Sequence, residues 1–269
     1  MIPKIIHYCW LSKDPLPTEA QECIKSWKKH MPDWQIKLWD MDAFDVHSVP
    51  FVEEAVAARK WAFACDYIRV YALYTEGGVY LDSDVLVRKN MDFMLNNRAF
   101  SAIESYPHLL ENLAREDRID ENGIKRNSED KIHGIQIQAA VLGAEKGHPF
   151  FKDCLDYYNQ QHFTLEEDGI PREDQISPIV FAGIAEKYGF RYLNQEQLLD
   201  EDFKLYSTDI ICPQPYLMRP SAVAVHCCNA SWRTVDKPLR HFFENIKTYL
   251  KQGLIGIGLR KEKNIERLR

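Results

Sequence analysis

Val79-Tyr80-Leu81-Asp82-Ser83-Asp84 is the stretch that decides how this chain reads. A short apolar run, introduced by Glu76-Gly77-Gly78, delivers two carboxylates two residues apart at its end. Side chains alternate along an extended segment, so Asp82 and Asp84 are expected to point the same way. Converging carboxylates repel unless a positive charge lies between them, and a hard divalent cation shared with a substrate phosphate resolves that conflict. Taken alone, an Asp-x-Asp triplet is more often a solvated loop, a turn or a helix cap. Here an apolar strand runs directly into the acids and places them at a strand's carboxyl end, where open α/β sheets bind ligands. The stretch therefore points to a cation–diphosphate site, and so to chemistry on a nucleotide sugar.

The flanking sequence supplies a matching frame. Residues 62–76 read as a helix with Phe63, Tyr67, Val70, Ala72 and Tyr74 as its apolar stripe, and Gly77 and Gly78 offer a left-handed exit. Residues 5–10 read as a buried opening strand, and Pro15 and Pro17 mark a turn. Thr18 is expected to cap a helix running to about residue 30, followed by a half-buried strand at 35–39 and a helical stretch at 52–59. Strands are expected at 99–104, 135–143 and 222–226, and helices at 150–160 and 175–188. The polar stretch 106–133 reads as an inserted loop or surface helices. Strands alternating with helices predict a three-layer α/β fold.

At 269 residues the chain can bury a full core, and 45% hydrophobic with 28% charged residues is ordinary for a soluble globular protein. The net charge of −6 is unevenly spread: residues 233–269 hold ten Lys/Arg against four Asp/Glu. A basic tail on an acidic body hints at an anionic partner at that end. A pI near 5.9 argues against nucleic-acid binding. The seven cysteines are odd in number, form no CxxC and lie partly in apolar runs, so reduced thiols are expected rather than a disulfide framework. Met1-Ile2-Pro3-Lys4 lacks a charged n-region followed by an apolar h-region, so no signal peptide is expected here, and no run approaches the roughly 18 apolar residues of a membrane span. A cytoplasmic location is expected.

Three further segments can carry chemistry. Trp10 ends the opening strand, where core packing outweighs base stacking as long as it is read alone. Asp66 and Arg69 share a helical face, either as a simple ion pair or as partners for a ligand, because charges on a mostly buried helix need partners. His226 ends an apolar strand. Such a histidine is more often a hydrogen-bonded core residue, but with Asp82 and Asp84 it would complete a carboxylate–imidazole set that suits Mn²⁺, with Mg²⁺ as the alternative.

Together, IPKIIHYCWLS (2–12), SWKKHMPDWQIKLWD (26–40), ACDYIRVYALYTEGGVYLDSDV (64–85), GAEKGHPFF (143–151) and AVHCCNASW (224–232) resemble glycosyltransferase family 32. That group has the Asp-x-Asp sugar-binding region and holds yeast-type initiating α-mannosyltransferases and bacterial capsule enzymes. More distantly, the chain is similar to the large clostridial glucosylating toxins. The resemblance implies a GT-A type fold, with a mixed, mostly parallel central sheet flanked by helices. It implies a catalytic domain over 1–232, with 233–269 as a basic amphipathic helical extension of the same domain.

The implied activity is a retaining, metal-dependent transfer of a hexose from a nucleotide-diphosphate sugar, UDP-sugar first. The acceptor would be a glycan or lipid-linked saccharide in surface or capsular polysaccharide synthesis. Carried over by position, Trp10 stacks on the base, Asp66 and Arg69 contact the donor sugar, and Asp82 touches the ribose and the metal's surroundings. Asp84 binds the metal directly, His226 is the third ligand, and Ser231 and Trp232 contact the diphosphate near the scissile bond. The catalytic set is then Asp66, Arg69, Asp82, Asp84 and Trp232. The alternatives are a GDP-mannose-dependent mannosyltransferase, a nucleotide-sugar hydrolase, and a silent sugar-nucleotide-binding protein. Leu239, Phe242, Phe243, Ile246, Tyr249 and Leu250 lie among Lys and Arg, so the tail either rests on the inner face of an anionic membrane or packs on the body.

Overall fold

A computed structural model describes residues 1–227; Ser231, Trp232 and the 233–269 extension lie outside the described residues. In chain order the strands of the first half are β1 (Ile5–Cys9), β2 (Gln35–Trp39), β3 (Gly78–Leu81), β4 (Val85–Val87) and β5 (Ala99–Ser105). Then come β6 (Ile135–Ile137), β7 (Val141–Ala144), β8 (Gln197–Leu199), β9 (Phe203–Tyr206), β10 (Ile211–Cys212) and β11 (Ala224–His226). The helices are α1 (Thr18–His30), α2 (Pro50–Ala57), α3 (Trp61–Glu76), α4 (Pro107–Glu116), α5 (Pro149–Asn159) and α6 (Ser177–Ala185).

The main sheet has the order β2-β1-β3-β7-β5-β9-β8, with β6 paired to β5. β2, β1, β3, β5 and β9 run one way and β6, β7 and β8 run against them, which is the mixed, mostly parallel arrangement expected. A small sheet, β10-β11-β4, stands apart from it. Two apolar layers cover the main sheet. One gathers α2, α3, α5 and α6 over Tyr80, Ala99 and Ile103, and the other sets α1 and the small sheet over Val79, Leu81, Phe100 and Ala102. Phe150 and Phe151 are wholly buried in the first layer, and each contributes roughly 1.5–3 kcal/mol by leaving water.

The link from α3 to β3 fixes where the acids emerge. Gly77 and Gly78 have φ of +71° and +114°, as the expected left-handed exit requires. A Cβ on Gly78 would lie 2.7 Å from the Ile5 carbonyl oxygen and 2.9 Å from His7 Nε2. His7 ties the same corner together. Its Nδ1 accepts from Trp39 Nε1–H at 3.0 Å, so its Nε2–H donates to the Gly77 carbonyl at 2.7 Å. Burial lowers the pKa of this histidine, in keeping with a neutral ring.

Several elements differ from their sequence reading. Thr18 is the first residue of α1 and not its cap: Pro17 holds the cap position, and no side chain bonds there. The single strand expected at 135–143 is broken into β6 and β7, because the backbone at Ala139 and Ala140 turns its carbonyls toward Arg69 and the Asp82 amide. The polar stretch holds α4. β4, β8, β9 and β10 have two to four residues each, too few for a period to show. Among the described residues Cys9, Cys23, Cys65, Cys154, Cys212 and Cys227 are free thiols, and Cys228 lies outside them.

Candidate active site

The parallel strands β1, β2 and β3 end on the same edge of the sheet, and the acids leave from the end of β3. The Asp82 amide donates to the Ala140 carbonyl at 2.9 Å, and the Val85 amide donates back to the Asp82 carbonyl at 2.9 Å. Asp82-Ser83-Asp84 is therefore a tight turn between β3 and β4, not an extended segment. The two carboxylates do converge, but through the turn and not through strand alternation.

β4 then places the third group. It pairs antiparallel with β11 so that His226 lies opposite Val85, and the Cys227 amide donates to the Asp84 carbonyl at 3.0 Å. His226 Nε2 comes within 3.4 Å of Asp84 Oδ1. One ligand atom each from Asp82, Asp84 and His226 all lie within 4.8 Å of one another. The three side chains keep 18–23% of their surface exposed, open enough to admit a ligand. Two carboxylates and an imidazole at this spacing fit a divalent cation.

Beneath the turn lies a buried cation. Arg69, 5% exposed at its side chain, sits 3.0 Å from Asp66 Oδ1 and 3.2 Å from Asp82 Oδ1 through the same Nη2. Its Nη1 donates to the Ala139 carbonyl at 2.7 Å, and its guanidinium lies over the Tyr80 ring at 4.9 Å. The surrounding carboxylates, Asp82 foremost, hold its pKa well above the usual value in spite of burial. Asp66 accepts from Ser177 Oγ at 2.8 Å. Burial outweighs both of its partners and pushes its carboxyl up to about 7. Asp66 and Arg69 are thus more than an intrahelical pair, because the guanidinium bridges α3 to the first acid of the turn.

Trp10 belongs to neither apolar layer. Its ring is half-buried beyond β1, with Nε1 donating to the Asp14 carbonyl at 2.7 Å. The sequence reading missed three other groups. Tyr80 donates its hydroxyl to Asp82 Oδ1 at 3.0 Å; its place two residues before an acid on one strand was the available signal. Ser177, far off in the chain, gave no signal. Glu104, next to last in β5, is half-buried; burial pushes its carboxyl pKa up, with the charge of His226 opposing the rise and that of Asp82 adding to it.

The model of the glycosyltransferase sugar-binding region containing the DXD motif matches residues 17–101. Over 257 residues the chain is 24% identical to an uncharacterized glycosyltransferase of Acanthamoeba polyphaga mimivirus, covering 91% of this chain and 89% of that protein. It is 28% identical over 153 residues to inositol phosphoceramide mannosyltransferase 3 of Schizosaccharomyces pombe, covering 55% of this chain and 35% of that protein. Among solved structures, mouse xyloside xylosyltransferase 1 in its apo form is similar in fold. The TM-score is 0.50 at 11% identity, over 83% of this chain and 97% of that one. Residues 17–101 are thus the sugar-binding region that contains the DXD motif, and the chain is a glycosyltransferase of the GT-A type.

Proposed function

We propose that this glycosyltransferase is cation-dependent and retaining, and that it moves a hexose from a nucleotide-diphosphate sugar to a glycan or lipid-linked saccharide. The observation that carries the reading is the convergence of Asp82, Asp84 and His226 within 4.8 Å. A divalent cation held there would supply charge neutralisation for the departing diphosphate, Mn²⁺ suiting the mixed donor set and Mg²⁺ being the alternative. Arg69 and Tyr80 fix Asp82 from below, so that its remaining oxygen faces the ligand. The half-exposed Trp10 ring stacks on the nucleobase, and Asp66 and Arg69 floor the donor-sugar site. Ser231 and Trp232 are assigned to the diphosphate on sequence alone.

Asp66 is engaged by Arg69 and Ser177, which disfavours it as a covalent nucleophile. The acceptor hydroxyl oxygen then bonds to the sugar's anomeric carbon on the face the diphosphate leaves. The carbon–oxygen bond to phosphate breaks, and the hydroxyl proton passes to the departing phosphate oxygen.

UDP-sugars remain a candidate donor class for surface-polysaccharide synthesis. GDP-mannose is the second reading, favoured by the likeness to two fission-yeast proteins named inositol phosphoceramide mannosyltransferases, at 28% and 29% identity. No helix among the described residues is long and apolar enough to cross a membrane. The basic extension at 233–269 is proposed as a peripheral membrane contact near a lipid-linked acceptor.

Incubation with a panel of UDP- and GDP-sugars, with Mn²⁺ or with EDTA, tests the reading through release of nucleoside diphosphate. Metal-dependent release from one donor names the sugar, and proton NMR of the transferred product reports whether the anomeric configuration is kept. Release without transfer to any saccharide would favour a hydrolase. No release and no donor binding would favour a silent binding protein.

A further inference from the structure

Away from the catalytic edge, a cleft of about 870 Å³ opens on the flank of the main sheet, between α3 and the edge strand β2. Tyr67 and Tyr71 stand four residues apart on α3 and form one stripe of its surface. That stripe lies at least about 100° round the helix from Asp66 and Arg69, so it faces away from the donor side. On β2, Lys37 and Trp39 stand two residues apart and turn to the same face. The segment 43–49 between β2 and α2 adds Phe44 and Asp45, and Asn159, the last residue of α5, completes the lining.

Aromatic rings and polar groups with bonding capacity to spare meet in this cleft. The Tyr67 and Tyr71 rings stack nearly parallel, at 20° with their centres 6.3 Å apart. Trp39 and Phe44 meet the Tyr71 ring edge-on at 5.9 and 5.2 Å. Tyr67 donates its hydroxyl to Asn159 Oδ1 at 3.2 Å, which leaves both amide protons of the exposed Asn159 for a ligand. Asp45, also exposed, accepts the His47 amide at 3.0 Å on Oδ1 and keeps its other oxygen as an acceptor. The hydroxyl of the half-buried Tyr71 has no hydrogen bond among the described residues, and it can both donate and accept.

Charge narrows the ligand. Lys37 supplies the positive charge of the cleft, and Glu76 answers it at 2.6 Å while the ammonium lies over the Trp39 ring at 4.5 Å. With Asp45 added the lining is net negative, which turns away phosphates and so nucleotide sugars. A neutral ligand with apolar faces and with hydroxyls that donate and accept suits both the rings and the spare polar groups. Saccharides have that chemistry, and saccharides are what a glycosyltransferase handles. We propose that the cleft is a second saccharide site, which holds a neutral glycan chain apart from the catalytic edge. A chain held there by one segment presents its other segments at a raised local concentration. Neither the donor nor the cation enters this binding.

The test places the full chain, in EDTA and without donor, on a printed array of neutral glycans, followed by isothermal titration with the oligosaccharide bound best. Wild type should bind at least one of them. Tyr71→Phe and Asn159→Ala should each weaken that binding about fivefold, the loss of one hydrogen bond. Ala43→Trp removes nothing and fills the cleft from an exposed position in its lining, so it should weaken binding more than tenfold. Release of nucleoside diphosphate from the donor found in the panel, with Mn²⁺, should stay within about twofold of wild type in all three. An Ala43→Trp that fails to fold leaves Tyr71→Phe and Asn159→Ala, which delete only polar groups, to decide. Unchanged glycan binding in the variants overturns the proposal, since the glycan would then sit at the catalytic edge, and so does a wild type that binds no neutral glycan. A wild type that binds glycan through the cleft but turns over no donor overturns the donor reading alone.

Discussion

Arg69 Nη2 lies 3.2 Å from Asp82 Oδ1, so a guanidinium buried in α3 holds the first acid of the turn after β3. The same nitrogen lies 3.0 Å from Asp66, and Nη1 secures the Ala139 carbonyl at the break between β6 and β7. One planar cation thus joins a helix, the turn after β3 and the kink before β7. Lysine has no fork with which to make these contacts together.

Replacing Arg69 with Met tests this joint. The substitution keeps apolar volume but leaves Asp66 and Asp82 without their counter-charge. Breaking a buried pair in this way costs about 3–5 kcal/mol, and exposure of Asp82 puts the expectation at the low end. Urea unfolding should show stability lower by about 3 kcal/mol, with Mn²⁺ binding weakened in the protein that remains folded. A midpoint indistinguishable from wild type would show that Arg69 is not the joint.

Asp84 and His226 carry the cation in this reading, and neither supports the core. Asp84→Ala and His226→Ala should therefore keep the circular dichroism spectrum of wild type. Mn²⁺ affinity should fall by at least the roughly 10–100-fold that even outer partners of a metal site can cost. EDTA should stop nucleoside-diphosphate release, and added Mn²⁺ should restore it. Transfer by Asp84→Ala within a few-fold of wild type would sink the metal role.

The acids, the helix before them and the fold class were legible because each rests on local pattern. An apolar run ending in acids, a stripe on residues 62–76 and the glycine pair all lie within residues 62–84. The convergence of Asp82 and Asp84 was legible as an outcome but not in its cause, since a three-residue turn carries no period. Ser177 and the Ala139 carbonyl were illegible for a different reason: each meets Asp66 or Arg69 only after long-range packing. Glu104 sits in a strand whose other residues are small or apolar; beyond the nearby Tyr106 hydroxyl, its surroundings come from the register with β6 and from β11.

Gly78 offers a test of the frame itself. Its φ of +114° disfavours any side chain, and its Cβ would meet the Ile5 carbonyl at 2.7 Å, a backbone atom held in β1. Gly78→Ala should cost about 1–3 kcal/mol for the conformation alone, with more from displacing β1. Because β3 would shift with it, donor turnover should fall along with the thermal midpoint. Gly147→Ala serves as a control, with φ of +78° but nothing within 4 Å of its Cβ, so it carries strain without collision. Equal losses in the two variants would mean that close packing against Ile5 adds nothing.

Asp66 gives the protein a dependence on pH whose sign can be stated. Burial raises its carboxyl from 3.8 to about 7, although Arg69 and Ser177 pull the other way. Between those values the folded chain keeps a proton that the unfolded chain has released. Stability from this site is therefore present in full below about pH 4, declines as pH rises, and is gone above about pH 7. Asp66→Asn cannot ionise and should lack this component. Urea midpoints taken at intervals from pH 4 to pH 8 should show wild type losing ground to Asp66→Asn as pH increases, with the difference levelling off above pH 7. A constant offset across the range would show that Asp66 is ionised throughout, its charge stabilised by Arg69 more strongly than burial opposes it.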